Sequence, residues 1–504
     1  MCSLKMIKLC TLNQKLISLH KKMDTAIIGF LIIGYFLVLI IVSSLTGKKT
    51  DNETFFLGNR KSPWYIVSIG MIGSSLSGVT FISVPGWVGT SQFTYLQMVL
   101  GFTLGYVVIA NILLPLYYRL NLTSIYTYLN NRFGFWSYKS GSLLFITSKL
   151  VGASARMYLM ASVMQLAVSD ALNIPFPITV FITIGLIWLY TFRGGIKTII
   201  WTDALQTLLM LSALMVTIVY IAGELNLNFK SLITTIVDSP YSKIWVWNDW
   251  TASNHFIKQF FAGMFTTIVM TGLDQDMMQK NLTCKNIKDA KKNMYWYGFG
   301  FLPANILFLS LGVLLFSFAI QMGIEIPARG DDLYPTLALG GHLPTAVGIF
   351  FILGLVAAAY SSADSALTSL TTSFSLDILR IDLKPKKEAK RIRFIVHIIF
   401  SILIALLIIS FRILNSGSII DTIYILAGYT YGPLLGLFTF GLFTKFQIKD
   451  KWVIVAVLLP PLITGILDYN TLNWFGFSLG YEKLILNGFI TFIILLFLIK
   501  REKQ

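Results

Sequence analysis

Charge is scarce in this chain of 504 residues, at 12%, and acidic charge is scarcer still, with 23 Asp and Glu against 40 Lys and Arg. Only four histidines occur, His20, His255, His342 and His397, scattered at the ends or near the boundaries of apolar runs. Three cysteines, Cys2, Cys10 and Cys284, have neither the paired spacing of a metal site nor the even count of a disulfide framework. These shortages leave no constellation of His, Cys or paired carboxylates facing one cavity, so the chain is not expected to be an enzyme. No Pro/Ser-rich linker or low-complexity stretch divides it. What is plentiful is apolar: 55% of residues are hydrophobic and the mean hydropathy is +0.72, far above that of soluble domains. The bilayer is the expected main solvent, for one integral membrane domain. A net charge of +17 could suggest nucleic acid, but the basic residues fall in short loops between apolar spans, the signature of membrane topology.

A span needs roughly 20 apolar residues to cross about 30 Å of hydrocarbon. Runs near that length fall at 24–46, 64–89, 93–118, 140–169, 176–192, 197–222, 257–279, 295–322, 343–377, 393–411, 417–443, 452–468 and 484–499. The sequence therefore predicts an all-α polytopic protein of about thirteen transmembrane helices. Every second connection is basic, the run 280–292 for example carrying Lys280, Lys285, Lys288, Lys291 and Lys292. Such loops face the cytoplasm, which predicts an inner-membrane protein with its N-terminus outside and its C-terminus inside. Residues 1–22 contradict the pattern, with Lys5, Lys8, Lys15, Lys21 and Lys22 on the external side. They also lack the continuous apolar core and A-x-A site of a signal peptide. The natural start is expected at Met23, which opens MDTAIIGFLIIGYF, with a single transporter domain over 23–504.

Two spans are too polar and too rich in small residues for plain membrane helices. The first, 64–89, centres on GMIGSSLSGVTFISVPG (70–86). A break there would turn free carbonyls into a cavity, as cation-binding transporters do; close packing of small residues is the other reading. The second, 343–377, carries Ala358, Ser361, Ser362, Ser365, Thr368 and Thr372 at three- and four-residue intervals on one helix face, with Asp364 beside them. A buried hydroxyl face with a carboxylate suits a hard cation that takes oxygen ligands. An intramembrane carboxylate costs about 2.5–3.5 kcal/mol to insert and asks for such a use; the other reading is that the hydroxyls bond back to the preceding turn while Asp364 meets a partner helix.

These two spans, together with FFLGNRKSPW (55–64), FRGGIKTIIWTDALQ (192–206), GLDQDMMQKNLTCKNIKDAKK (272–292) and GLVAAAYSSADSALTSL (354–370), make the sequence resemble the sodium:solute symporter family over essentially its whole length. The resemblance implies sodium-coupled import of a small organic solute by alternating access. It also implies a 5+5 inverted repeat, about 64–222 and 257–443, with broken first and sixth core helices and an extra helix before and two after. The family's main sodium site, carried over, comprises carbonyls of Gly73, Leu76 and Ala358 and hydroxyls of Ser361 and Ser362. Some members use an Asp and two hydroxyls for a second sodium. Those positions are Asp203, Asp364 and Ser365 here, the first hydroxyl being replaced by a carboxylate. The options at this place are a second sodium, a shared proton, or an Asp364–Arg156 pair.

The solute is less legible. Where the sugar-transporting branch has Gln, this chain has Thr80, and TFISVPG (80–86) is closer to the monocarboxylate, iodide and vitamin branches. Arg156, in mid-span about two turns from Lys149, needs an anionic partner. That partner is either a substrate carboxylate or a protein carboxylate such as Asp203, Asp274 or Asp364. The expectation is a carboxylate-bearing solute such as a monocarboxylate or sialic acid, with Thr80, Arg156 and Asp274 at its site. A sugar or other neutral solute, or a proton-coupled carrier, is the alternative. Beyond sodium, solute and lipid, no obligate protein partner is evident.

Overall fold

The computed structural model describes residues 25–46, 52–414 and 419–500. The expected start at Met23, the basic stretch 1–22 and the last four residues lie outside them. Among the described residues every named element is a helix. The long apolar runs leave backbone groups no partner but their own chain, and helices satisfy all of them internally. Each of the thirteen expected spans falls on one of these helices or on a bent pair.

Nine helices among the described residues are long and apolar enough to cross a membrane, or eleven spans if each of two bent pairs counts as one. In chain order they begin with α1 (Thr25–Thr46), then α2 (Trp64–Ser75) and α3 (Gly78–Ser91), which meet at 54°. Next come α4 (Tyr95–Arg119) and α5 (Phe135–Met164). The shorter α6 (Phe176–Phe192) and α7 (Gly195–Glu224) follow. Gly195 separates those two with a φ of +55°, and a Cβ there would sit 2.6 Å from the Phe55 ring, so only glycine makes this corner. The second bent pair is α8 (Phe256–Gly272) and α9 (Gln275–Asn281), meeting at 68°. The chain continues with α10 (Ile287–Gln321), α11 (Thr345–Ser373), α12 (Lys386–Leu414), α13 (Ile419–Phe443), α14 (Val453–Phe475) and α15 (Lys483–Phe497). The first core helix of each expected repeat is thus a broken one.

Burial sorts the helices by role. In α1, Phe30, Ile33, Leu37, Ile41 and Leu45 are exposed, apolar side chains suited to lipid. Helix α11 is the opposite: every residue from Gly354 to Ser373 is buried, hydroxyls included. A helix buried all round sits at the centre of its bundle. Helix α11 packs on α2, α3, α5, α7 and α9, so both helix breaks face it.

Candidate functional site

The break between α2 and α3 is made by two residues. Leu76 has φ −80° and ψ 67°, and Ser77 is extended at φ −68° and ψ 176°. The last turn of α2 cannot pair all its carbonyls within the helix, and Ser77 gives the first amides of α3 no side-chain cap. Glycine sets the approach of the neighbouring helix: a Cβ on Gly73 would lie 1.9 Å from Thr207 Oγ1 of α7. The serine face of α11 meets the break, with Ser362 Oγ 3.2 Å from the Ser74 carbonyl and 3.4 Å from that of Ala358. Ser361 Oγ lies 3.2 Å from Ser74 Oγ and donates to Asp203 Oδ1 at 2.6 Å. Oxygen atoms of Ser74 on α2 and of Ala358, Ser361 and Ser362 on α11 therefore lie close together beside the break.

Asp203 of α7, fully buried, is the hub behind them. Its Oδ2 accepts from Ser74 Oγ at 3.0 Å and Ser365 Oγ at 3.4 Å, and pairs with Lys280 Nζ at 2.8 Å. The Lys280 ammonium also donates to Ser74 Oγ. This lysine was counted above with the cytoplasmic loop cations. That placement is corrected: its side chain is 1% exposed, because the bend at Leu273 and Asp274 turns α9 back into the protein. Asp364 faces the same cluster, accepting from Tyr190 Oη at 2.9 Å and Ser365 Oγ at 3.3 Å.

At the second break Asp274 caps α9, accepting from the amides of Asp276 and Met277. It also accepts from Tyr431 Oη at 2.7 Å and pairs with Lys149 at 3.3 Å. Lys149 makes its shorter contact with Asp276, at 2.6 Å. Asp276 Oδ1, on its other side, lies 4.0 Å from Lys280 and accepts no hydrogen bond among the described residues.

Between the two breaks lies a cavity of about 120 Å³, roughly ten times the space one water needs. Thr80, Arg156, Asp274, Tyr106, Tyr297 and Ser362 are among its walls. Arg156 is half-buried and makes no ion pair among the described residues. Of the protein carboxylates expected as its partner, Asp203 is held by Lys280, Asp274 by Lys149, and Asp364 by Tyr190 and Ser365. Sequence reading missed Lys280, Asp276 and Tyr190. The four-residue spacing of Asp276 and Lys280 was the available signal for the first two, whereas nothing local pointed to Tyr190.

Residues 55–448 match the profile of the sodium:solute symporter family. The sodium/sialic acid symporter SiaT of Proteus mirabilis is 25% identical over 478 residues, 91% of this chain and 93% of that protein. The sodium/sialic acid symporter NanT of Aliivibrio fischeri is 25% identical over 464 residues, 88% of each. A Na+-coupled sialic acid symporter solved in its substrate-bound outward-open state superposes with a TM-score of 0.80 at 22% identity, covering 95% of this chain and all of that one.

Proposed function

The chain belongs to the sodium:solute symporter family, a sodium-coupled membrane transporter and not an enzyme, and we propose that its solute is a carboxylate, with sialic acid the first candidate. The observation that carries this reading is Arg156, a guanidinium on the wall of the cavity between the two helix breaks that makes no ion pair among the described residues: Asp203, Asp274 and Asp364 are held by other groups, and Asp276, on the same wall and within reach of its charge, is paired with Lys149. A carboxylate held by two parallel N–H···O bonds is what such a group binds best. The uncapped N-terminus of α3, with Thr80 in its first turn, adds backbone amides and the positive end of a helix to the same wall. The two relatives named for sialic acid match nearly the full chain. Asp274 takes part through the wall itself, holding α9 and Tyr431 in place.

Sodium binds at the carbonyls of Gly73, Leu76 and Ala358 and the hydroxyls of Ser361 and Ser362. The cation completes the gap between α2 and α11, so it favours the arrangement in which the solute site is whole, and solute in turn favours sodium. The basic connections face the cytoplasm, with the N-terminus outside. A tenfold inward sodium gradient supplies about 1.4 kcal/mol per ion. One sodium with one monovalent carboxylate moves no net charge, so the gradient alone sets the accumulation at about tenfold.

Proteoliposomes loaded without sodium test the reading, with radiolabelled sialic acid, lactate and galactose offered under an inward sodium gradient and under potassium. Sodium-dependent uptake of a carboxylate is the expected result. Arg156→Gln should weaken that uptake about tenfold or more, by loss of a charge-assisted pair, and leave any neutral solute within about twofold. Uptake of galactose alone, unaffected by Arg156→Gln, would overturn it.

A further inference from the structure

We propose that the nine-residue helix Phe229–Val237 lies in the membrane interface, with Phe229, Ile233 and Val237 set among the lipids, so that the bilayer is the partner this surface fits. It concerns a segment that touches neither the solute site nor the ion site proposed above, and it stands or falls apart from them.

The pattern within the helix carries it. At helical spacing Phe229, Leu232, Ile233, Ile236 and Val237 share one apolar arc, whereas Lys230, Ser231, Thr234 and Thr235 fill the other. Protein covers only one edge of the apolar arc, where Leu232 and Ile236 pack on the hydrophobic core. Along the other edge Phe229 is 79% exposed, Ile233 47% and Val237 65%. The helix is well formed locally, since Asn228 caps it by accepting from the Ser231 amide at 2.9 Å. Large apolar side chains aligned in this way form a patch that asks for a cover.

The place of the helix in the fold says what the cover is. Glu224 ends α7, so Phe229 lies within about 18 Å of the end of a span by chain length alone. The helix packs on α10, whose last turn includes the exposed Ile320, and Val219 near the end of α7 is exposed too. The stripe therefore continues the lipid-facing surface of two spans. Beyond the helix the chain follows the same rim: the Tyr241 ring lies 5.2 Å from Phe316 of α10, and Trp245 and Trp247 lie 5.4 and 4.3 Å from Phe256, which opens α8. Both tryptophans are exposed, as are Ile257 and Phe261 of α8. Tryptophans at the ends of spans mark the boundary between hydrocarbon and water. Lys230, at the border of the apolar arc, can reach lipid phosphate with its stem on the apolar side. A helix divided in this way lies in the plane of the membrane. The segment is also tied to the turn between α3 and α4, with Gln92 Nε2 donating to the Pro240 carbonyl at 2.9 Å and the Phe93 amide to the Lys243 carbonyl at 3.1 Å. An anchor in lipid thus steadies the far end of the first broken helix.

Spin labelling of the full chain in lipid nanodiscs tests the placement, with Ile233→Cys and Thr234→Cys each made in a Cys2→Ser/Cys10→Ser background. Cys284 is buried out of reach of the label and stays. The label at position 233 should collide more with dissolved oxygen than with a water-soluble nickel chelate, at a depth of about 5–10 Å into the headgroup boundary. The label at position 234 should show the reverse. A label at 233 that favours nickel overturns the proposal, because the stripe then faces water. One shielded from both reagents overturns it as well, because protein, such as a second copy of the chain, then covers the stripe. Oxygen preference at both positions also overturns it, since the helix would then be immersed on all sides. If Ile233→Cys yields no folded protein, Val237→Cys on the same edge decides by the same collision rates.

Discussion

The two broken helices solve one problem in opposite ways. Between α2 and α3 the chain opens at Leu76 and Ser77, among glycines and serines, with no charged residue in either helix. Between α8 and α9 it opens at Leu273 and Asp274 and places Asp274, Asp276 and Lys280 within one short helical stretch, each at most 4% exposed. The neutral break leaves carbonyls, amides and hydroxyls whose dipoles can welcome an ion and release it. The charged break is closed: Asp274 caps its own helix, Lys149 pairs with Asp274 and Asp276, and Lys280 ties α9 to Asp203 of α7. A transporter has to bind and let go at one place while keeping shape at another, and charge pairing is what separates these roles.

The largest effect is expected at the closed break. Lys149→Met leaves Asp274 and Asp276 together in a buried place without their shared cation, a loss of about 3–5 kcal/mol by the usual cost of breaking a buried pair. Thermal unfolding in detergent should start far below wild type, with a lower yield of monodisperse protein. A melting curve superimposable on wild type would show that the pair does not hold the break. At the open break the same measurement should change little, and the effect should appear in the ion. Ser361→Ala and Ser362→Ala each remove one oxygen from the proposed sodium site. The sodium concentration for half-maximal uptake should rise about tenfold, a step of about 1.4 kcal/mol. Unchanged sodium dependence in both variants would move the site elsewhere.

The contrast also explains what could be read in advance. The open break was legible because its signals are local: Gly70, Gly73 and Gly78 around Ser74, Ser75 and Ser77, and a serine face recurring at helical spacing on α11. Arg156 was legible too, as a charge amid apolar neighbours. The closed break was not legible from its own residues. Its 68° bend has only Gly272 as a local sign, so that a break in the sixth core helix was implied by the family resemblance alone and Lys280 read as the first cation of a basic loop. Topology rules count charges between spans and carry no information about depth. Lys149 and Asp276 lie 127 positions apart in sequence, and only the tertiary fold brings them to 2.6 Å. Residue type and spacing thus disclose sites built within one helix, whereas sites built from single charges on several helices appear only once the helices are packed.

The smallest expected effect sharpens the same comparison inside the closed break, by removing a neutral partner where Lys149→Met removes a charged one. Tyr431 of α13 donates to Asp274 Oδ2 at 2.7 Å. Tyr431→Phe keeps the ring and deletes the donor, and Asp274 still has Lys149 and the amides of Asp276 and Met277. Interhelical hydrogen bonds in membranes contribute about 0.6 kcal/mol on average and at most about 1.7. With the remaining donors in place, the lower figure applies. Melting in detergent should therefore fall by a few degrees at most, while the sodium concentration for half-maximal uptake stays within about twofold. A loss as large as that of Lys149→Met would mean that α13, and not the ion pairs, holds the break closed. The roles of charge and hydroxyl would then be reversed.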